Sequence, residues 1–155
     1  AYYRTQKYDS SMVYAREILG GGDVVFGAKN RAQLLIGKNL QGKGNTKQAV
    51  EEFEKAAALA KDDFGAEAKF LVAKTLYDEK KYQEAYDKLD ELQTQFPDQV
   101  KWRDQGYLLL SDVYVGRNDA FNARAVLMSI IENAEDKAVV EEARRKLAAI
   151  DSKQN

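Results

Sequence analysis

One small pattern recurs along this sequence and restricts what it can fold into. A small residue is followed four positions on by an apolar residue, and three further on by another. The copies are Ala49, Phe53 and Ala56; Ala85, Leu89 and Leu92; and Ala123, Leu127 and Ile130. Ala49 to Ala85 is 36 residues and Ala85 to Ala123 is 38, while a weaker copy, Ser11, Ala15 and Ile18, starts 38 residues before Ala49. Self-similarity at a period of about 20–50 residues marks a solenoid or an array of repeats. Arrays of this kind mainly bind other proteins.

Helical periodicity runs almost from end to end. It is interrupted at Gly20-Gly21-Gly22, Gly42-Lys43-Gly44-Asn45, Asp62-Asp63, Asp78 to Lys81, Pro97-Asp98, Gly116 to Asp119, and Asn133 to Asp136. Gly, Asn and Asp after an apolar run are helix stops or caps. The breaks predict helices at 9–20, 24–42, 46–61, 64–79, 82–96, 99–116, 119–133 and 137–151, with Ala1 to Lys7 as the end of another. No stretch alternates apolar and polar residues over a strand's length, so no sheet is expected. The helices fall into pairs with short connections, which makes paired helices antiparallel neighbours. One amphipathic pair cannot bury its apolar face alone, so pairs must stack on pairs.

At 155 residues the chain is about one domain by length. Lys and Arg number 24 and Asp and Glu 25. The resulting net charge of −1 gives no reason to expect a nucleic-acid or membrane-surface partner. No apolar run approaches the roughly 20 residues of a membrane span. The sequence opens without Met and in mid-pattern, which reads as a piece of a longer protein.

The chain contains no Cys and no His. Disulfides, zinc sites built on Cys or His, Cys nucleophiles and His general bases are therefore excluded within it. Gly37 to Lys43 matches the spacing of a GxxxxGK phosphate loop. That loop needs Ser or Thr next and a strand before it. Here Gly44 follows, and Gly37 lies within a helical pattern. Acidic pairs such as Glu51-Glu52, Asp62-Asp63 and Glu141-Glu142 point about 100° apart on a helix and do not converge. Asp62-Asp63 instead fits a helix start, where unpaired N–H groups favour negative charge. No enzyme activity, cofactor or metal is expected.

Residues Ala66 to Tyr77, through Lys81-Tyr82-Gln83-Glu84-Ala85, resemble a tetratricopeptide repeat. Val72-Ala73 occupies the family's Leu-Gly/Ala step, and Pro97 stands where its closing proline would. Leu110-Ser111 with Tyr114 repeats the step in the next unit, and Ile36-Gly37 with Leu40 in the one before. The period exceeds the family's, which is about 34, and Ser11, Leu40, Leu92 and Ala120 depart from its consensus. The longer units also look similar to repeat proteins of the bacterial cell envelope. The resemblance implies an all-α, right-handed α-solenoid spanning 1–155. It would hold a half repeat at 1–20, repeats at about 24–61, 64–96 and 99–133, and a capping helix at about 137–151. Gly37, Ala73 and Ser111 would be small because helices cross closely there, with Ala49, Ala85 and Ala123 matching them on the second helices. Tyr77, Tyr82 and Tyr114 read as wedges between helices, and Trp102 as packing at the start of the helix after Pro97.

In this family the first helix of each repeat lines a concave face. Carried over residue by residue, that face comprises Arg31, Leu34, Lys38 and Gln41; then Glu67, Phe70, Lys74 and Tyr77; then Gln105, Leu108, Asp112 and Val115; with Glu142 and Arg145 from the last helix. An apolar row of Leu34, Phe70 and Leu108 flanked by charge would suit a peptide or a partner helix. The same residues would be core if neighbouring helices cover them. Some members grip an acidic C-terminal peptide with Lys, Asn and Arg; Leu34, Lys38 and Leu71 occupy such positions here, so that clamp is not expected. The implied function is a non-catalytic scaffold or adaptor for a protein or peptide. The alternative is a structural module of a larger assembly, in the cell envelope or a regulatory protein, whose groove its own chain fills.

Overall fold

The computed structural model describes residues 12–13, 15–20 and 26–152. The expected helix at Ala1 to Lys7, Ser11, and Gly21-Gly22 lie outside the described residues. The described residues are helices and short connections, without a strand. A short stretch, α1, is helical over 12–13 and 15–20. It is followed by α2 (Phe26–Gly42), α3 (Thr46–Leu59), α4 (Asp63–Asp78), α5 (Tyr82–Gln95), α6 (Val100–Gly116), α7 (Ala120–Asn133) and α8 (Lys137–Ser152). Helices adjacent in sequence pack on one another, α2 on α3, α5 on α6, α6 on α7 and α7 on α8, as in a helical repeat.

Three of the connections have the same construction. In each, one residue takes a left-handed backbone: Gly44 (φ 83°), Lys80 (φ 60°) and Asn118 (φ 59°). The next residue's N–H reaches back five positions, Asn45 to Leu40, Lys81 to Leu76 and Asp119 to Tyr114, at 2.8–2.9 Å. The left-handed residue's own N–H bonds to Gln41, Tyr77 or Val115. This pair of bonds is the Schellman ending, which satisfies carbonyls that a helix C-terminus leaves unpaired. Five residues after each left-handed position comes the small residue of the opening pattern, Ala49, Ala85 or Ala123, each at most 1% exposed. The repeat therefore exists in backbone geometry as well as in side chains.

The chain divides into two compact units, Ala1–Thr75 and Leu76–Asn155, with the division inside α4. In the first, Ala15 of α1 packs against Ala32 and Ile36 of α2, with Ile18 and Leu40 at the margins. α2 and α3 approach closely at Gly37. A Cβ there would stand 2.5 Å from the fully buried Phe53 ring, so only glycine fits. The expectation of a close crossing at Gly37 is met by this contact. At the start of α4, the Asp62 carboxylate accepts from Gly65 N at 2.8 Å, the capping role read for it in the sequence.

The second unit is centred on Leu108, Ala123, Leu127, Ile130, Val139, Ala143 and Ile150, contributed by α6, α7 and α8. Leu89, Leu92 and Phe96 are fully buried alongside α6. The Tyr77 and Tyr82 rings meet at a tilt, 5.8 Å between centres, and Tyr86 meets Tyr114 edge-on at 6.0 Å, so these tyrosines do wedge between elements. Tyr82 also lies under Gly116, where a Cβ would approach its ring to 2.6 Å. Asp119 and Asp136 cap α7 and α8 through bonds from Asn122 N and Ala138 N. Trp102 is half-buried near the start of α6, with the Lys101 ammonium 4.6 Å from its ring centre.

Candidate functional site

The residues carried over to the concave face do not share one fate. In the first unit Arg31 and Lys38 are exposed, and Gln41, Glu67, Phe70 and Lys74 are half-buried. Lys38 of α2 donates to Glu67 of α4. Further along both helices, Gln41 Nε2 donates to Thr75 Oγ1 at 3.3 Å. Polar side chains thus join α2 to α4. The buried polar contacts in this unit are structural. Lys69 of α4 pairs with Glu54 of α3 at 3.0 Å, and Asn30 of α2 donates to Asp62 at 2.6 Å.

Leu34 and Leu108 correct the apolar row. Leu34 is 3% exposed and Leu108 6%, so both belong to the interior and present no surface to a ligand. The physical reason is visible around Leu108. It lies in the cluster with Leu127, Ile130 and Val139, contacted by helices on more than one side. A helix with Leu108, Leu109 and Leu110 in succession is apolar around much of its circumference, and such a helix is buried. Position in the repeat register alone did not separate a residue facing a groove from one facing the next helix.

The second unit holds a cavity that two of the carried-over residues line. A cavity of about 360 Å³ lies between α6 and α8, reaching the α6–α7 turn, and is lined by Ser111, Asp112, Val115, Asn118, Lys146 and Ile150 among others. Asp112 and Val115 are the two carried-over residues that line it. Lys146 Nζ donates to both oxygens of Asp112 at 2.7 Å, crossing from α8 to α6. Tyr77 is near enough that, after burial, the Asp112 carboxylate is the next cause pushing its phenol pKa up. Gln105 is half-buried earlier on α6 and does not line the cavity.

Glu142 and Arg145, expected from the last helix, bond to each other on its surface. The Arg145 guanidinium holds the Glu142 carboxyl below its usual range, with burial opposing it. Lys146 is the residue that sequence reasoning passed over. Its signal was present: Val139, Ala143, Leu147 and Ile150 form the apolar stripe of α8, and Lys146 borders it. Register favoured its neighbour Arg145.

The GxxxxGK-like stretch has no loop to offer a phosphate. Residues 37–42 are helical, and Gly37 is pressed against Phe53. Among the described residues no helix is long and apolar enough to cross a membrane. No protein-family model matches the sequence, and no curated protein matches it at a significant level.

Proposed function

We propose that this chain is a tetratricopeptide-like repeat scaffold, without catalytic activity, that holds a peptide or partner helix along the first helices of its repeats. The repeat reading is supported by the Schellman turns at Gly44, Lys80 and Asn118, spaced 36 and 38 residues, the same intervals as Ala49, Ala85 and Ala123. Turns this short make the paired helices antiparallel. Stacking such pairs gives a right-handed superhelix with a concave face.

The observation that carries the binding role is the α6–α8 cavity. It combines an apolar wall, Val115 and Ile150, with a charged pair, Asp112 and Lys146, whose groups remain a quarter to a third exposed. An apolar site with a few convergent polar groups suits a peptide, which brings both side chains and backbone amides. Lys38, Glu67, Phe70 and Lys74 extend the reading to the first unit, as residues of α2 and α4 that are at least partly exposed.

The test is partner capture by immobilised wild-type chain, by a Val115→Glu, Lys146→Glu variant, and by a control altered at an exposed residue of α3 outside the cavity, Leu59→Ser. All three must show the same helical circular dichroism. The reading expects the first variant to lose partners that the wild type and the control retain. Equal capture by all three would sink it. Capture by none, together with the chain's own terminal residues bound in the cavity, would favour the structural-module alternative.

A further inference from the structure

A second concavity, larger than the first, lies within the same unit. About 640 Å³ opens between the first half of α6 and the second half of α7, beside the α7–α8 connection. Its apolar lining comes from Tyr107, Val126 and Ile130, and Val100 lies at its margin, 56% exposed. Its polar lining includes two carboxylates, Asp104 and Glu135.

The charge in this cleft is not internally balanced. Arg103 also lines it, its guanidinium held by Pro97 O at 2.7 Å and Gln93 Oε1 at 3.3 Å, so one cation faces two carboxylates and the lining keeps an excess negative charge. The Asp104 carboxylate forms no hydrogen bond among the described residues. Burial pushes its pKa up; Arg103 opposes this, and Asp136 and Glu135 add to it. An ionised carboxylate beside two others, partly shielded from water, is stabilised by an incoming cation.

The surroundings indicate what carries that cation. On α7, Phe121, Ala125 and Met128 follow one another at four and three residues, on one helix face. Phe121 is 80% and Met128 51% exposed, and Ala125 also lines the cleft. An apolar strip continuous with an acidic cleft complements a helix that displays apolar residues and one basic side chain. Lys and Arg have the required form, an apolar stem that the lining can cover and a cationic head for the carboxylates.

We propose that the α6–α7 cleft is a second protein-docking site, which takes one Lys or Arg side chain of a partner helix between Asp104 and Glu135 while that helix's apolar residues cover Val100, Tyr107 and the Ala125–Met128 strip. Charge complementarity selects the partner, and the apolar strip supplies most of the contact area.

The probe is a short capped helical peptide of Ala and Leu with one central Arg, titrated into the isotope-labelled chain and followed by amide chemical shifts. Its twin carries Glu in place of Arg. The Arg peptide should shift amides around Asp104, Tyr107, Val126 and Glu135, and bind about tenfold more tightly than the twin, a difference of about 1.4 kcal/mol. An Asp104→Asn, Glu135→Gln variant with unchanged circular dichroism should lose that preference. Equal binding of the twin, an undiminished preference in the variant, or shifts centred on the α6–α8 cavity would each overturn the proposal. So would concentration-dependent shifts at the cleft without peptide, which would make a second copy of the chain its occupant.

Discussion

Lys146 on α8 holds Asp112 on α6 by two 2.7 Å hydrogen bonds, across 34 positions of sequence. The pair ties α8 to α6 at the mouth of a cavity. Both groups are partly exposed, so water and salt screen their attraction. Replacing Lys146 with Met keeps the apolar stem and removes the charge. The expected loss is at the upper end of exposed pairs, about 1 kcal/mol. Denaturant unfolding at low and high salt checks this: the gap between wild type and Lys146→Met should narrow as salt rises.

The glycine crossings differ in how much their neighbours can yield. Gly37 faces Phe53, which is fully buried among neighbouring side chains. Gly116 faces Tyr82, which is half-buried. Gly37→Ala should cost about 1–3 kcal/mol through overpacking, and Gly116→Ala less. Thermal unfolding of the two variants gives the order. Adding Phe53→Leu should recover part of the Gly37→Ala loss, and a strictly additive double variant would contradict the contact.

The repeated turn places a different residue at its left-handed position each time. Left-handed backbone costs an ordinary L-residue about 1–2 kcal/mol, less for Asn. Glycine's greater freedom in the unfolded chain offsets about 0.5–1 kcal/mol of that. Lys80→Gly should therefore stabilise the chain by up to about 1 kcal/mol. Asn118→Gly should change stability less, and Gly44→Ala should destabilise. Denaturation midpoints of the three variants test this order.

Two carboxylates predict opposite responses to acid. The side chain and backbone N–H of Asn122 bond to Asp119 and hold its pKa below the usual carboxylate range. The folded value is the lower one. Its contribution is therefore complete above the unfolded value, about 3.9, and is lost as pH falls through the folded value. Asp104 is shifted upward, chiefly by burial. Its ionised form opposes folding above the folded value, and that opposition disappears below the unfolded value. Asp104→Asn should thus melt above wild type near neutral pH and converge with it in acid. Asp119→Asn, which retains a capping side chain that does not titrate, should lose less stability than wild type as pH falls. Melting temperatures across a pH series decide both.

Much of the helical layout was legible from punctuation. Gly42 to Asn45, Asp78 to Lys81 and Gly116 to Asp119 stop helices, and the structure ends and restarts helices at each. Gly44 and Asn118 signal a left-handed turn by residue type. Lys80 does not, and only its place in the repeat puts it there. The site was legible in part. Asp112 and Val115 line the α6–α8 cavity, whereas Leu108 went into the core and Lys146 replaced Arg145 as the contributor from α8.

The sequence by itself determined the elements, because helix stops, caps and the i, i+4, i+7 spacing act within a few residues of one another. It also pointed to the close crossing at Gly37, since two helix backbones can approach only where the side chain between them is small; the close approach of Tyr82 to Gly116 came only with the structure. Only the tertiary structure decided which face of α6 is covered. Helical spacing places Leu108 and Asp112 on one side of the helix, yet one enters the core and the other meets Lys146. That outcome depends on how α7 and α8 approach α6. The same approach leaves the α6–α7 cleft open beside Asp104, where no repeat consensus points.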